Sequence, residues 1–410
     1  MKKLILFTAS FPYGKKETYL ETEIKYLSRS FDSIHIYPHY YNNKDTSQRK
    51  MPENVFINKA ALSANKLHRL ATAIKGLVTK SHFFFLDDFI RKKVYKSKVN
   101  FKTWFFEYVN YLATIASDEF KCIENEENSI FYYYWGAGWA NTLPHLNKTN
   151  KNNNTIFMRV HGSEVYLERS NGYIPVRENV FERVNFFLPI SNHLSSYLKD
   201  HYKIHDDKRL VSRLGTLSLI KSIRNQTNNQ ENFIKIVSCS NMISLKRIDL
   251  IIDSLFYLDG IEINWIHFGD GPLMQTLQKK VKLLSFKTIS ITFKGRVDNK
   301  NILLFYKNNK IDAFINVSKF EGLPVSIMEA MSFSIPCIAT NAGATSEIVN
   351  NDNGILLPNN LSILELSNSI MEISNVNWNG KRENAYDTWH TKFNAEYNYK
   401  NLVKMLISNI

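Results

Sequence analysis

The chain alternates short apolar runs with longer segments in which apolar residues recur every three or four positions. Short apolar runs bounded by turn residues predict buried strands, whereas the three-to-four spacing predicts amphipathic helices. In the first half, strands are predicted at 3–9, 33–37, 130–135, 154–160 and 186–190, and helices over 17–28 and most of 60–120. This alternation predicts a parallel sheet covered by helices.

The apolar pattern is lost over 221–232, which predicts a linker. The alternation then restarts, with predicted strands at 233–239, 264–268, 290–293, 313–317 and 336–340, and predicted helices at 246–258, 273–284, 299–308 and 324–332. The sequence therefore predicts an α/β protein of two Rossmann-like doubly wound domains that face a cleft. The predicted domains are 1–220 and 233–385, and a last helix over 386–410 is expected to pack back on the first domain.

Length and composition agree with this division. The chain has 410 residues, of which 44% are apolar and 13% aromatic, as is typical of folded globular proteins. The three cysteines, Cys122, Cys239 and Cys337, are scattered and form no CxxC pair, which fits a reducing compartment and gives no zinc signal. The apolar run at the start is too short for a signal peptide, so we expect a cytoplasmic protein.

The net charge of +14 is concentrated in one segment. Residues 59–102 hold eleven Lys or Arg against two acids, and aromatic runs lie at 83–85 and 104–106. A basic and aromatic segment favours contact with an anionic membrane surface, which for this chain would be the inner face of the plasma membrane. The alternative is that a Lys- and Asn-rich chain is basic everywhere and that the aromatics are core. No nucleic-acid-binding motif accompanies the charge, so no nucleic-acid partner is expected.

The segment 320–331, FEGLPVSIMEAM, is the most informative part of the sequence. Its two carboxylates, Glu321 and Glu329, stand eight residues apart with Gly and Pro between them. Because Pro is pre-organised for the first helical position, Glu321 is predicted in a loop, and a helix that starts near Pro324 carries Glu329. The unpaired N–H groups of a helix N-terminus attract phosphate. The arrangement suits a sugar joined to a diphosphate.

The same segment resembles the EGxPxxxxEAM element of the retaining glycosyltransferases of family 4, which have the two-domain GT-B architecture. The similarity continues through 332–340 and 343–349 to 353–358, and its type is that of bacterial surface-polysaccharide enzymes. Weaker similarities are found at Ser10–Pro12, His161–Glu164, Lys246–Asp249, Phe268–Leu273 and Phe293–Val297.

The resemblance implies two catalytic residues. Glu321 would lie beside the donor sugar and stabilise positive charge at the anomeric carbon, and His161 would reach that sugar from the first domain. Glu329 would accept hydrogen bonds from the ribose hydroxyls, and Lys246 would meet the diphosphate. The full implied donor-binding set is Lys246, Arg247, Gly269, Gly271, Arg296, Val297, Gly322, Leu323, Pro324, Val325 and Glu329.

Each of these residues also has a purely structural interpretation. Glu321 would then be a helix-capping acid, Lys246 a solvated lysine and His161 a strand-end histidine with satisfied hydrogen bonds. Arg296 would be a surface arginine, and the glycines at 269 and 271 would simply make a turn. The GxG at 136–138 lacks the third glycine of a dinucleotide fingerprint, so it is interpreted as a tight strand–helix turn.

The chain departs from the family pattern at one important position. The family has Gly-Arg five residues before Lys246, where this chain has Ser240-Asn241, so one of two expected phosphate-binding cations is missing. The sequence contains no DxD and no GxxxxGK[ST], so neither a metal bridge of the DxD type nor another cofactor is expected.

The resemblance implies a metal-independent retaining transferase that moves a hexose from a UDP- or GDP-sugar to a hydroxyl of a glycan or lipid-linked acceptor. The first domain, 1–220, would bind the acceptor, and the second, 233–385, would bind the nucleotide sugar. Two alternatives stay open. One is a nucleotide-sugar epimerase or hydrolase of the same fold. The other is a degenerate, non-catalytic member that uses its basic face for binding, an idea supported by Asn241.

Overall fold

A computed structural model describes residues 2–14, 17–40, 48–78, 82–149, 153–220 and 233–409. The chain divides into two compact units, one made of Met1–Ser212 with Tyr399–Ile410 and the other of Arg213–Asn398. The predicted linker 221–232 lies outside the described residues. Among the described residues, no helix has both the length and the apolar character that a membrane crossing needs.

The first unit contains a parallel sheet of six strands in the order β3-β2-β1-β4-β5-β6. The strands are β1 Lys3–Thr8, β2 Ser33–Pro38, β3 Val55–Ile57, β4 Ile130–Tyr133, β5 Thr155–Val160 and β6 Phe186–Pro189. Of these, only the three-residue edge strand β3 was not predicted. The chain reverses its direction across the sheet between β1 and β4, which are neighbours. Such a reversal is where doubly wound sheets bind ligands.

The helices of the first unit are α1 Leu20–Leu27, α2 Lys66–Gly76, α3 Phe83–Arg91, α4 Lys98–Ile115, α5 Asp118–Glu124, α6 Leu143–Thr149, α7 Arg177–Phe181 and α8 Asn192–Tyr202. The basic stretch is therefore helical, as predicted. Helix α1 begins three residues later than predicted because Glu17 has a positive φ of 54° and is part of a loop. The carboxylate of Glu17 accepts hydrogen bonds from the backbone N–H groups of Ser10 and Phe11, both at 2.7 Å.

The second unit has a parallel six-stranded sheet in the order β12-β11-β10-β7-β8-β9. Its strands are β7 Ile234–Cys239, β8 Ile263–Phe268, β9 Ile289–Phe293, β10 Ala313–Asn316, β11 Cys337–Thr340 and β12 Gly354–Leu357. Its helices are α9 Ile248–Phe256, α10 Met274–Leu284, α11 Asn299–Asn308, α12 Val325–Met331, α13 Ile363–Met371 and α14 Gly380–Lys392, and the last helix, α15 Ala395–Ser408, is divided between the two units. Fully buried Ile236, Ile252, Leu255 and Trp265 belong to the apolar core between sheet and helices.

Two helices near the predicted site begin later than expected. Pro324 is the N-cap of α12 and has extended geometry, with φ −73° and ψ 101°, and its carbonyl accepts from Ile327 and Met328. Helix α9 begins at Ile248 because Arg247 adopts the left-handed conformation, with φ 51°. Lys246 therefore ends a 3₁₀ turn before α9 and is not part of the predicted helix.

The boundaries of the two units also differ from the predicted 1–220 and 233–385. The stretch 213–220 belongs to the second unit, where the backbone of Thr216 donates to Phe393 at 2.9 Å and accepts from Ala395 at 3.1 Å. The N–H of the Trp389 indole also reaches the Thr216 hydroxyl, at 2.8 Å. Only from Tyr399 onward does the last helix belong to the first unit, where this buried ring packs 5.7 Å from the ring of Tyr26.

Candidate active site

In the second unit, the central strands β7 and β10 are hydrogen-bonded neighbours, although two strands separate them along the chain. From β7 the chain continues through β8 to β9 at one edge of the sheet, and from β10 it continues through β11 to β12 at the opposite edge. The loops that follow them, 240–247 and 317–324, therefore leave the sheet at its switch point. Ligands of open α/β sheets bind there, beyond the carboxyl ends of the strands.

These two loops bring Lys246 and Glu321 together. The Nζ atom of Lys246 lies 2.5 Å from Oε1 of Glu321, and the same oxygen accepts from the amide of Asn316 at 3.3 Å. Only 19% of the lysine side chain and 13% of the glutamate side chain are exposed, so water screens the pair weakly. Charge-assisted hydrogen bonds of this kind are stronger than neutral ones and fix both side chains.

The backbone at Glu321 is held by the loop after β11. Gly343 has a φ of +57°, and a Cβ atom on it would lie 1.9 Å from the carbonyl oxygen of Glu321. Only glycine permits this approach. The N–H of Ala344 also donates to the carbonyl of Gly322, at 3.3 Å. Beyond Gly322, Leu323 and Val325 are buried and anchor the segment in the unit.

Gly269 and Gly271 lie in the loop after β8 and face the protein's own backbone. A Cβ on Gly269, whose φ is +145°, would lie 1.8 Å from the carbonyl oxygen of Ser240. A Cβ on Gly271 would lie 2.6 Å from the carbonyl oxygen of Met242. Both glycines therefore allow the loop after β8 to pack on the loop that leads to Lys246, in agreement with their structural interpretation.

The guanidinium of Arg247 is occupied by backbone carbonyls. It donates to Val317 and Asn359, both at 2.6 Å, and to Ser318 at 3.2 Å. These bonds tie the turn at Lys246 to the loop that leads to Glu321. Two further predicted donor-site residues, Arg296 and Val297, follow Gly295 in the loop after β9. Arg296 is exposed and Val297 is half-buried.

Glu329 lies on α12 and accepts a hydrogen bond from the Asn299 side chain on α11, at 2.8 Å. Desolvation raises the pKa of Glu329 to about 7, although the hydrogen bond from Asn299 acts in the opposite direction. Burial, and then the charge of Glu329, also raise the pKa of the Cys239 thiol to about 12. Asn299 was not predicted as a site residue, because an isolated Asn at the start of a helix carries no distinct signal.

In the first unit, His161 follows β5. Its ring packs on those of Trp135 and Tyr134, with centroid separations of 4.2 and 4.9 Å, and its Nδ1 lies 3.5 Å from Glu164. Glu164 also accepts from the His161 backbone N–H at 2.8 Å and from the Ser163 hydroxyl at 2.7 Å. Burial alone would raise the pKa of Glu164, but the hydrogen bonds and charge from His161 outweigh it and hold that pKa at about 2. The ionised Glu164 thus faces Nδ1 of the imidazole at ion-pair distance, although neither ring nitrogen has a hydrogen-bond partner among the described residues. The sequence did not predict this arrangement.

A cavity of about 680 Å³ opens beside this histidine loop and is lined entirely by residues of the first unit. It lies at the carboxyl ends of β1, β4 and β5 and includes Glu164 among its lining residues. The GxG at 136–138 forms part of its wall. Gly138 has a φ of +63°, and a Cβ there would lie 2.9 Å from Nδ1 of His39, so this segment is the tight turn that the sequence predicts.

The helices α2, α3 and α4 and the residues next to their ends carry many exposed apolar side chains. We call this set the apolar–basic surface; it consists of Leu67, Leu70, Ile74, Leu77, Val78, Phe83, Ile90, Tyr95, Val99, Phe101, Phe105 and Phe106, together with the exposed lysines at 66, 75, 93, 96, 98 and 102. The aromatic runs divide between core and surface. Phe84, Phe85 and Trp104 are buried, whereas Phe105 and Phe106 are 50% and 57% exposed.

The two parallel six-stranded sheets place the protein in the GT-B fold class, and comparison with known structures confirms this prediction. The structure of the lipopolysaccharide outer core galactosyltransferase WaaB in its apo form superposes with a TM-score of 0.69 at 18% identity, covering 100% of both chains.

Sequence comparison then shows which known proteins the chain is similar to. Residues 220–387 match the family model described as glycosyl transferases group 1. The chain is 25% identical over 218 residues to the putative colanic acid biosynthesis glycosyltransferase WcaL of Escherichia coli K12, covering 50% of this chain and 51% of the relative. It is 31% identical over 105 residues to the Escherichia coli UDP-Gal:alpha-D-GlcNAc-diphosphoundecaprenol alpha-1,3-galactosyltransferase, covering 25% and 24%. The matched part of the chain thus spans about half the length of the first relative and about a quarter of the length of the second. Residues 220–387 are thus similar to the group 1 glycosyltransferases, in line with the resemblance noted in the sequence.

Proposed function

We propose that this protein is a retaining glycosyltransferase that moves a hexose from a UDP- or GDP-sugar to a hydroxyl of a glycan or lipid-linked acceptor, without a metal ion. The observation that carries the proposal is the Lys246–Glu321 pair, with a 2.5 Å contact, in the loops after β7 and β10. A cation and a carboxylate held side by side suit a substrate that develops two opposite charges. In glycosyl transfer, the diphosphate becomes more negative while the anomeric carbon becomes positive.

The two side chains divide this charge between them. Lys246 has three N–H donors, so its ammonium group can keep one on Glu321 and direct another to the diphosphate. Glu321 then stabilises the positive charge at the anomeric carbon, and the N–H groups after Gly322 assist at the diphosphate. Because the pair is fixed before the reaction, little energy is lost in reorganising it. His161, oriented by Glu164, is the proposed contribution of the first unit to the transfer.

The choice of donor and acceptor rests on relatives. One matched enzyme is named for UDP-galactose as donor and a diphosphoundecaprenol-linked sugar as acceptor, and another for colanic acid biosynthesis. We extend the general class, and not the individual substrates, to this chain.

The proposal is tested by a thermal-shift panel of UDP- and GDP-sugars, followed by product analysis with and without a glycan acceptor in buffer containing EDTA. We expect binding of one nucleotide sugar and acceptor-dependent release of the nucleoside diphosphate, with retained anomeric configuration. The Glu321→Gln variant should lose turnover much more than nucleotide-sugar affinity. Epimerised or hydrolysed sugar as the main product in the presence of acceptor would favour the epimerase or hydrolase alternative. No binding of any nucleotide sugar would favour a non-catalytic member, and activity that EDTA abolishes would exclude metal independence.

We further propose that the apolar–basic surface binds an anionic lipid bilayer. Exposed aromatic and aliphatic side chains can enter the headgroup region, while neighbouring lysines pair with lipid phosphates. Vesicle flotation at low salt should show binding to vesicles that contain phosphatidylglycerol and little binding to neutral ones. The double variant Phe105→Ser, Phe106→Ser should reduce flotation at least tenfold. The matched control, Phe256→Ser with Tyr257→Ser, changes similarly exposed rings in the second unit and should bind normally. Equal losses in both double variants would contradict a defined membrane surface.

A further inference from the structure

The carboxylate of Glu17 joins two loops of the first unit. Glu17 precedes α1 and is 8% exposed. Its Oε2 atom accepts from the backbone N–H groups of Ser10 and Phe11, both at 2.7 Å. Its Oε1 atom accepts from the backbone N–H of Ala9 at 3.0 Å and from the indole N–H of Trp135 at 2.7 Å. The loop after β1 and the loop after β4 are therefore fixed to the same side chain.

This set of bonds requires a carboxylate. All four groups that Glu17 accepts from are N–H donors, and an ionised carboxylate has acceptor sites only. A glutamine has the same shape but a single accepting oxygen, so its NH₂ group would face two of the N–H donors. With an amide at this position, one of the two loops would lose its bonds.

The backbone of Glu17 is held in an uncommon conformation. Its φ of 54° lies in the left-handed region, which a residue with a side chain rarely adopts. Such positions persist where the surrounding structure fixes them, and they are found preferentially at functional sites. Here the conformation accompanies a side chain that reaches both loops at once.

Trp135 depends on this bond more than its neighbour does. The rings of Trp135 and Tyr134 both pack on His161, with centroid separations of 4.2 and 4.9 Å. Tyr134 is fully buried, so packing alone fixes its ring. Trp135 is only half-buried, and the hydrogen bond from its indole N–H to Glu17 sets the rotation of the ring.

The imidazole of His161 depends in turn on the rings beside it. Neither ring nitrogen has a hydrogen-bond partner among the described residues, and the Glu164 carboxylate lies 3.5 Å from Nδ1. An indole that is free to turn would therefore let the imidazole turn with it. Small displacements of a reacting group cost a large part of the rate.

We propose that Glu17 is a positioning residue for His161 and acts through the indole of Trp135. That His161 takes part in sugar transfer rests on the function proposed above, whereas the link from Glu17 to the imidazole rests on these contacts alone. The alternative is that Glu17 only closes the loop after β1 and contributes to stability.

The first test is spectroscopic and needs no substrate. The full chain is labelled with ¹⁵N-tryptophan and ¹³C-histidine, and the two signals are assigned by their loss in Trp135→Phe and His161→Asn. In Glu17→Gln, the indole N–H signal of Trp135 and the ring signal of His161 should both shift. An unshifted His161 signal in folded Glu17→Gln protein would overturn the proposal.

The matched control is Glu126→Gln. The Glu126 carboxylate is also partly buried, with 18% of its side chain exposed, and accepts from the Lys3 ammonium and the Ser129 hydroxyl, both at 2.7 Å. Lys3 begins β1 and Ser129 precedes β4, so this residue lies at the opposite end of the sheet from Trp135. Its variant should lose stability and leave both signals in place. Circular dichroism and thermal melting compare folding in the two variants.

The second test is kinetic. UDP-glucose, UDP-galactose, UDP-N-acetylglucosamine and GDP-mannose are the donors, and octyl glucoside is the acceptor. Glu17→Gln should lower kcat about 10- to 100-fold, as expected for a displaced reacting group. The KM for the nucleotide sugar should change by less than about twofold, because the donor is proposed to bind the second unit. Glu126→Gln should keep the wild-type kcat. Unchanged kcat in Glu17→Gln would overturn the proposal.

A double-mutant cycle separates positioning from loop closure. Trp135→Phe keeps an aromatic ring in place but has no N–H for Glu17. In that background, Glu17→Gln should lower kcat by less than about threefold, because the two residues act as one unit. The full loss in both backgrounds would mean that Glu17 acts only through the loop after β1. Unchanged kcat in Trp135→Phe alone would also overturn the proposal, and it decides the matter if Glu17→Gln does not fold.

The two tests also separate this proposal from the proposed function. A wild-type protein that transfers no sugar would count against the transferase function, while the NMR signals would still test the link from Glu17 to His161. A protein that transfers sugar but whose His161 signal and kcat ignore Glu17 would retain the function and lose the positioning role.

Discussion

Glu329 gives a prediction with a defined pH range. Its proposed task is to accept hydrogen bonds from the ribose hydroxyls, which only the ionised carboxylate can do with both oxygens. Desolvation raises its pKa to about 7. Nucleotide-sugar binding should therefore release a proton near neutral pH and strengthen as the pH rises.

The magnitude follows from the ionised fraction. With a pKa of about 7, roughly a tenth of Glu329 is ionised at pH 6 and roughly nine-tenths at pH 8. The dissociation constant for the nucleotide sugar should thus be about tenfold larger at pH 6 than at pH 8, and it should level off above pH 8. Isothermal titration calorimetry in buffers of different ionisation enthalpy measures both affinity and proton release. A nucleotide sugar is a better titrant than UDP, because its two esterified phosphates do not titrate in this range.

The Glu329→Gln variant should bind with the same affinity at both pH values, while the exposed control Glu372→Gln should keep the wild-type slope. A wild-type affinity that is constant from pH 6 to 8 would refute the reasoning, as would a tenfold slope that survives in Glu329→Gln.

The thermal stability of the protein provides a second check. A carboxylate whose folded pKa is raised stabilises the fold most below its unfolded pKa, and this contribution is lost as the pH rises through about 7. The variant should therefore melt at a higher temperature than the wild type at pH 8, with the difference shrinking towards pH 5.

Three further changes test the second unit. Lys246→Ala should weaken nucleotide-sugar binding by about 10- to 100-fold by calorimetry, since it removes the cation proposed for the diphosphate; a change below twofold would contradict that role. Asn241→Arg adds a cation at an exposed position of the same loop and should tighten binding several-fold at low salt, with the gain disappearing at 0.5 M salt; weaker binding would show that Asn241 itself is required. Gly269→Ala should lower the free energy of unfolding by on the order of 2–4 kcal/mol in urea denaturation. Gly260→Ala is the matched control, because its φ is also positive, at +126°, but a Cβ there meets no atom within 4 Å. Equal losses would mean that backbone strain, and not the contact with Ser240, sets the cost.

Most of the fold could be predicted because buried parallel strands are continuous apolar runs, and ten of the twelve strands in the described residues were predicted. The two that were missed, β3 and the four-residue β12, are both short edge strands. Strand β3 has only three residues at a sheet edge, where one face is exposed and the pattern is weak. The start of α9 was missed for a different reason. The left-handed conformation of Arg247 is uncommon for a residue with a side chain, and it is stabilised by hydrogen bonds to distant carbonyls. Neither feature leaves a local signal in the sequence.

The sequence predicted which segments carry the candidate residues but not the contacts that these residues make. Spacing along the chain places Glu321 and Glu329 in one segment, and both lie there. It carries no information on the contact between Lys246 and Glu321, which are 75 positions apart and meet only because β7 and β10 are neighbours in the sheet. The position of Glu164 beside the His161 ring and the hydrogen bond from Asn299 likewise depend on packing.

The Lys246–Glu321 contact changes how the missing arginine at position 241 is understood. In a site with two cations, one could neutralise the carboxylate while the other met the diphosphate. Here a single described lysine is within bonding distance of Glu321, and the neighbouring guanidinium of Arg247 is engaged by backbone carbonyls. In the reaction proposed above, the diphosphate therefore shares Lys246 with Glu321. As negative charge builds on the leaving group, the ammonium is drawn towards it, and Glu321 becomes less neutralised when positive charge appears at the anomeric carbon. One lysine thus couples the stabilisation of the two charges.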